Sequence, residues 1–263
     1  MSEQNKTTEQ NKKIKIVPTV MPTDFDDFVE KIHRVEKLVK TIQIDVMDGK
    51  FVPSVSWPYN SPDDEEWENL LNQNNGLPAW DKVDFEIDLM VADQIAEAKK
   101  WITAGVSRVI CHVEALEKDK SVGEDKDPIV EFFNLKKEFG VELYAALVPT
   151  TPISVLDKYL TNFNDEPDPK LDKSFADVKI DGVQFMGINK IGYQGQPFES
   201  SILESIKTLR QKYPDLKISI DGGVNFETAP LLIRAGADAL ASGSLIFNSE
   251  NPKEVIEELG NLG

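Results

Sequence analysis

The stretch IQIDVMDGKFVP, residues 42–53, begins with the pattern of a β-strand and continues into a segment with the charged residues Asp48 and Lys50. Residues 42–47 alternate between apolar and polar side chains, as expected of a β-strand with two different faces. Gln43, Asp45 and Met47 have the same parity, so they project from one face of this strand. In a parallel barrel such a face points inward, and its last residues reach the mouth.

The pattern around this strand repeats along the chain. Short β-branched runs alternate with longer amphipathic segments, which is typical of βα units and a parallel sheet. The predicted strands are 14–18, 42–47, 83–90, 107–113, 141–148, 182–187, 217–221 and 237–242. The predicted helices are 24–39, 92–104, 128–139, 200–213, 227–235 and 252–259. Gly105 and Gly236 stand where helix C-caps should lead into the next strand.

Eight strands predict a single α/β domain, a (β/α)₈ TIM barrel, over residues 14–263. Residues 1–13 are almost all polar and predict a disordered tail. Segments 57–81 and 162–179 are long and acidic, and most such charge runs are solvated surface. We expect a short helix with an exposed turn in the first segment. A lid or an oligomer contact is the alternative role for both.

Charge and cysteine content limit the partners and the compartment. The net charge of −17 disfavours nucleic acid and anionic membranes, since both would be repelled. One cysteine, Cys111, permits no internal disulfide and indicates a reducing compartment, by default the cytoplasm. We see no apolar stretch of membrane-spanning length. A homo-oligomer is compatible with this sequence.

Glycine-bearing loops follow the last three predicted strands. In barrels of this class, loops after strands seven and eight bind phosphate through backbone N–H groups, and glycines allow close approach. A phosphate group is therefore the predicted part of the ligand here, although each loop alone could be a plain tight turn. The residues concerned are Gly192, Gln194, Gly195, Gly222, Gly223, Gly243 and Ser244.

Carboxylates converge at the same predicted mouth. Asp45 and Asp88 lie inside apolar strands, and Asp221 ends strand seven, with Glu86 one inward position before Asp88. Such a cluster needs either a shared proton or a bound divalent cation. His112 ends strand four, where a role at the mouth competes with a purely structural one.

Several motifs in order resemble the ribulose-phosphate 3-epimerase family. Residues 45–49 with 51–53 are similar to its DVMDG-x-FVP signature, and residues 17–19 to its first-strand Pro-Ser. Residues 89–91, 112–115 and 192–196 resemble its LMV, HxEA and GFGGQ motifs. Residues 221–224 and 242–244 resemble its DGGV and GS motifs. The resemblance runs from about residue 13 to the C-terminus and implies a barrel of the ribulose-phosphate-binding type.

The resemblance implies an epimerase acting at C3 of a phosphorylated ketose such as D-ribulose 5-phosphate, through an enediolate. The two proton-transfer groups would be Asp45 and Asp221. Met47 and Met90 match methionines that line the enediolate, and Thr19 and His112 complete the substrate-binding set with the loop residues.

The implied metal ligands depart from the family pattern. Two family histidines are replaced by Gln43 and Asp88, which leaves Gln43, Asp45, Asp88 and Asp221 as the ligand set. Amide and carboxylate oxygens favour manganese or magnesium over zinc or iron. A protonated Asp88 in a metal-free site is the alternative.

Two other functions remain open at the level of sequence. One is another phosphosugar isomerase or lyase on the same barrel. Decarboxylase and synthase relatives carry lysine in a strand-two Asp-x-Lys pattern, and Met47 stands there instead. The other is a non-catalytic sugar-phosphate binder, which would have no use for both aspartates and both methionines.

Overall fold

A computed structural model describes residues 14–61, 63–160 and 179–263 of the chain. The predicted tail 1–13 and all but the last residue of the acidic segment 162–179 lie outside the described residues. The described chain forms a closed barrel in which each strand pairs in parallel with the next and β8 pairs with β1. The predicted TIM barrel is confirmed.

Each predicted strand is present, with ends that shift by at most two residues. The strands are β1 Lys15–Val20, β2 Thr41–Met47, β3 Asp84–Met90, β4 Arg108–His112, β5 Glu142–Leu147, β6 Gly182–Met186, β7 Lys217–Asp221 and β8 Ala239–Ser242. Closure of the sheet leaves no edge strand in the described barrel, and all its strands run in the same direction. All carboxyl ends therefore open on one face, where the loops collect.

The predicted helices are also present, most of them slightly shorter. They are α1 Phe25–Val35, α2 Glu65–Leu71, α3 Gln94–Ala104, α4 Val113–Leu116, α5 Pro128–Phe139, α6 Asp157–Leu160, α7 Ile202–Lys212, α8 Ala229–Ala235, α9 Ser244–Phe247 and α10 Pro252–Gly260, with a 3₁₀ turn at Ile153–Leu156. Gly105 and Gly236 end α3 and α8 with φ of 114° and 118°, as the C-cap prediction required.

The two faces of each strand pack differently. On β2 the outward side chains Ile42, Ile44 and Val46 have no exposed surface and belong to the main apolar core between strands and helices. The inward side chains include Gln43 and Asp45, which are also buried. The barrel interior is thus partly polar, and its polar groups must satisfy one another.

Segment 57–81 is only partly the solvated surface that its charge predicted. Its helix α2 and the turn after it exist, and its acidic residues Glu65 and Glu66 are not buried. Trp57 and Trp67, however, are buried and pack edge-on with ring centroids 5.6 Å apart. These two residues are therefore not part of the solvated surface. Their aromatic rings carry a large apolar area, and burial of that area outweighs the polar character of the acidic residues nearby. Among the described helices, none is both long and apolar enough to cross a bilayer.

Candidate active site

A cleft opens at the carboxyl ends of the strands. Its walls combine the predicted reacting residues with the predicted phosphate loops. The sequence-predicted residues that line it are Thr19, Asp45, Met90, Gly192, Gln194, Gly195, Asp221, Gly222, Gly223, Gly243 and Ser244. Residues from strands and loops that are far apart in the chain thus face one space.

The glycine loops bring the backbone close to the cleft. Gly222 and Gly223 follow β7 with φ of 86° and 68°, a conformation that other residues rarely adopt. A Cβ at Gly243 would lie 2.6 Å from Oγ1 of Thr19 and 3.4 Å from Nε2 of Gln194. The loop after β8 therefore has room for a ligand only because this side chain is missing.

Three aspartates form a compact cluster beneath the cleft. Asp45, Asp88 and Asp221 come from β2, β3 and β7, are buried, and place one carboxylate oxygen each within 4.8 Å of the others. Asp45 and Asp88 are direct neighbours in the β2–β3 register. Nε2 of Gln43 donates to Oδ1 of Asp45 at 2.7 Å and to Oδ2 of Asp221 at 2.8 Å.

Burial and mutual repulsion keep protons on this cluster. Desolvation, with the charge of Asp88 second, raises the pKa of Asp221 to about 7. Desolvation also raises the pKa of Asp45 well above its ordinary value, and Asp221 and Asp88 add to that increase. Because the two groups titrate together, the pair retains a proton close to neutral pH.

Asp88 is held by two further buried side chains. Nε2 of His112 lies 2.9 Å from its Oδ1, and Nε2 of Gln184 donates to its Oδ2 at 3.1 Å. Burial opposes charging of His112, but the Asp88 carboxylate, with Glu114 and Asp221, raises its pKa overall. His112 has no exposed surface and is absent from the cleft lining. The structure places it beside Asp88, and its contact with the substrate stays a prediction.

An apolar wall closes one side of the carboxylate cluster. Met47, Met90 and Met186 end β2, β3 and β6 and pack with Val52, Ile188 and Ile191. Met186, unlike Met47, lines the cleft itself. Thioether sulfur is polarizable and has no proton to exchange, so this wall excludes water without competing in proton transfer.

Glu86 does not join the cluster as a further ligand. Its carboxylate pairs with Arg108, which also bonds Glu142 and stacks 4.5 Å from the ring centroid of Tyr144. Burial raises the pKa of Glu86, and Arg108 opposes that increase. The group belongs to the layer below Asp88, because Glu86 is one inward position earlier on β3.

The donor set fits a hard divalent cation. Three carboxylates offer oxygen ligands, and Oε1 of Gln43 is buried with no hydrogen-bond partner among the described residues. A rotation of the Gln43 amide would turn that oxygen toward the aspartates, at the cost of its two hydrogen bonds. Carboxylate and amide oxygens suit magnesium, manganese or calcium. The Gln43 ligand role stays a prediction.

Two functional residues escaped the sequence reasoning. Gln184 and Met186 share the inward parity of β6, the same signal that identified Asp45 and Met47 on β2. Applying the parity argument to every strand would have found both.

Lys190, in the loop after β6, is exposed and places its ammonium 4.2 Å from the ring centroid of Tyr193, which lines the cleft.

Comparisons with known proteins agree with this geometry. The model of the family described as "Ribulose-phosphate 3 epimerase family" matches residues 15–165 and 170–247. The ribulose-phosphate 3-epimerase of Bacillus subtilis is 30% identical over 252 residues, covering 94% of this chain and 98% of the relative. That of Candida glabrata is 29% identical, covering 92% of this chain and 89% of the relative.

Solved structures share the barrel at low sequence identity. A 3-hexulose-6-phosphate synthase superposes with a TM-score of 0.62 at 15% identity, covering 95% of this chain and 99% of the other. KGPDC from Streptococcus mutans gives a TM-score of 0.60 at 12% identity, covering 95% of this chain and 97% of the other. These likenesses support the fold alone.

Proposed function

This chain belongs to the ribulose-phosphate 3-epimerase family and is a carbohydrate epimerase, and we propose that it interconverts D-ribulose 5-phosphate and D-xylulose 5-phosphate. The observation that carries the proposal is the pair Asp45 and Asp221, on β2 and β7, facing one cleft and sharing the Gln43 amide as donor. Inversion at carbon needs one group to remove the proton and another to return it to the opposite face.

Proton transfer is assigned to these two aspartates. The ionised member takes the C3 proton, and the electron pair of the broken C–H bond moves toward the C2 carbonyl oxygen to give an enediolate. The protonated member then delivers its proton to the other face of C3. The raised pKa values of Asp45 and Asp221 support this division, because one proton on the pair leaves one base and one acid.

Gln43 keeps the two acids in a fixed relation. Its amide nitrogen donates to one oxygen of each carboxylate, which fixes the orientation of the two groups relative to each other. The wall of Met47, Met90 and Met186 keeps water from the reacting carbon. Water at this position could otherwise protonate the enediolate on either face.

The phosphate is assigned to the glycine loops at the other end of the cleft. Gly222, Gly223 and Gly243 bring backbone groups to its surface, with Ser244 beside them. Gly192, Gln194 and Gly195 close the third side. Backbone dipoles can hold a dianion here even though the protein carries a charge of −17.

A divalent cation would be held by Asp45, Asp88 and Asp221, with manganese or magnesium favoured over zinc or iron. When bound, it would supply positive charge where the carbonyl oxygen becomes negative. Metal content of protein purified without chelator, and activity before and after chelation, test this assignment. Loss of activity that manganese restores supports it, whereas full activity in metal-free protein supports the shared proton alone.

The remaining assignments rest on sequence and on the relatives. We propose one barrel domain over residues 14–263 and a cytoplasmic location, since the chain has one cysteine and a rice relative is a cytoplasmic isoform. The acidic charge argues against nucleic acid and membrane partners.

Solvent exchange tests the proposed function directly. The protein is incubated with D-ribulose 5-phosphate in deuterium oxide, and the C3 proton and the products are followed by NMR. We expect deuterium at C3 together with D-xylulose 5-phosphate, and no D-xylulose 5-phosphate from the Asp45→Asn variant, because the remaining aspartate serves only one face of C3. Absence of C3 exchange by the folded wild-type protein would exclude the mechanism.

A further inference from the structure

Gln184 is a buried amide in the barrel interior that takes no part in the proposed proton transfer or phosphate binding. It lies in the middle of β6, has no exposed surface, and donates from Nε2 to Oδ2 of Asp88 at 3.1 Å. Asp88 lies on β3, so this hydrogen bond crosses the interior between strands that are not neighbours in the barrel. Among the described residues Asp88 is the hydrogen-bond partner of this side chain, whose Oε1 is buried without one.

The two oxygens of Asp88 are held from two sides. Nε2 of His112 on β4 lies 2.9 Å from Oδ1, and Nε2 of Gln184 on β6 bonds Oδ2. Gln184 thus bonds Asp88 through its amide nitrogen, and the imidazole of His112 meets the other oxygen. Contacts on both oxygens fix the plane of the Asp88 carboxylate.

Gln184 has a counterpart four strands away. Gln43 on β2 donates across the interior to Asp221 on β7, and Gln184 on β6 donates across it to Asp88 on β3. Each amide thus ties one aspartate of the cluster to the far side of the barrel. A neutral amide orients a carboxylate without cancelling its charge, which a lysine or arginine in the same place would do.

We propose that Gln184 is a positioning residue that orients Asp88 to complete the Asp45, Asp88 and Asp221 cluster as a divalent-cation site. The inference rests on the proposed function only through the cation assigned to that cluster. Partners that orient metal ligands typically change metal affinity by about 10- to 100-fold when they are removed.

The test measures Mn²⁺ binding to the metal-free full-length protein by calorimetry and electron paramagnetic resonance, without substrate. Gln184→Leu removes the donor at similar volume, and Gln184→Asn keeps an amide that is too short to reach Asp88. Both should weaken Mn²⁺ binding about 10- to 100-fold and alter the resonance line shape of bound Mn²⁺. The thermal midpoint of the metal-free protein identifies a variant that fails to fold.

Ser219→Ala is the matched control. Ser219 lies beside Gln184 in the β6–β7 register, is buried, and its Oγ has no hydrogen-bond partner among the described residues. Its truncation should leave Mn²⁺ affinity and line shape unchanged. Native Mn²⁺ affinity in folded Gln184→Asn would overturn the inference, and so would a wild-type protein that binds no Mn²⁺. Deuterium exchange at C3 is measured separately, so failure of cation binding and failure of epimerisation are distinguishable.

Discussion

Individual aspartates in this chain serve very different purposes. Asp24, Asp64 and Asp127 cap helices, each accepting a hydrogen bond from a backbone N–H of the first turn. Asp45 and Asp221 instead lie buried inside strands, where an ionised carboxylate is costly unless a donor, a proton or a cation compensates it. That cost is what moves their pKa values toward the range useful for proton transfer.

Replacing either acid should separate chemistry from binding. Asp45→Asn and Asp221→Asn each remove a proton-transfer group while keeping its shape, so epimerisation should fall by at least about 10²–10⁴-fold. Affinity for a phosphorylated ligand should stay within about tenfold, because the glycine loops are untouched. Steady-state kinetics and ligand titration check both. Near-native turnover in one variant would remove that residue from the mechanism.

The raised pKa of Asp221 also predicts how stability depends on pH. Its value is about 7 in the folded protein against an ordinary 3.8, so the folded state binds the proton more tightly. The contribution of this proton to the free energy of unfolding is fully present below about pH 3.8 and is lost as pH rises to about 7. In metal-free protein the loss from this group is at most about 4 kcal/mol.

Urea unfolding of metal-free protein at pH 5 and pH 8 measures this effect. The wild type should lose more stability between the two pH values than Asp221→Asn, which stays neutral throughout. The comparison cancels groups remote from Asp221, whereas the pKa of Asp45 changes with the charge of its neighbour. Equal losses would mean that Asp221 is ionised in the folded state at both pH values.

At the level of elements, the loops after β6, β7 and β8 hold the cleft open by lacking side chains. Gly243 illustrates this, because its ordinary φ of −101° would accept another residue, whereas the space around it would not. The close neighbours are Thr19 and Gln194, both of which line the cleft. Shape rather than backbone strain therefore requires glycine at this position.

Gly243→Val should weaken binding of the sugar phosphate, since a branched side chain would displace Thr19 and occupy the proposed phosphate position. Isothermal titration with D-ribulose 5-phosphate and with an unphosphorylated ketose should show the loss for the phosphorylated ligand. Gly140→Ala is the control, because Gly140 ends α5 with φ of 72° and a Cβ there meets nothing within 4 Å. It should cost stability and spare affinity. Unchanged affinity in folded Gly243→Val would place the phosphate elsewhere.

At the level of the whole molecule, the charge of −17 opposes the approach of an anionic substrate. No lysine or arginine stands among the described residues that line the cleft. Binding through neutral backbone dipoles gives affinity at short range but little attraction at a distance. Association should therefore be slowed by repulsion, which salt screens.

We expect kcat/KM for D-ribulose 5-phosphate to rise several-fold between about 10 mM and about 150 mM sodium chloride, as the screening length shrinks. The value of kcat should change little, because the bound complex is already formed. Stopped-flow or steady-state rates over the salt series provide the measurement. A fall in kcat/KM instead would indicate a cation that steers the phosphate, and Lys190→Gln would then show whether the exposed lysine near Tyr193 supplies it.

Much of the architecture could be predicted from local sequence. Strand and helix positions follow from side-chain periodicity and from caps such as Gly105, which depend on neighbours in the chain. The parity of β2 likewise placed Asp45 on the inward face. Every residue of β2 is buried, so the two faces of this strand differ in residue type and not in solvent exposure. Residue type can be read from the sequence, and for that reason the inward face could be predicted.

Contacts across the barrel were decided by tertiary structure. Gln43 meets Asp221 at a separation of 178 residues, and Gln184 meets Asp88 at a separation of 96. The sequence determined which residue types face inward, but the depth at which they meet depends on strand tilt and on closure of the whole sheet. For this reason the pairing of His112 with Asp88 was not predicted, and Gln184 was not singled out at all.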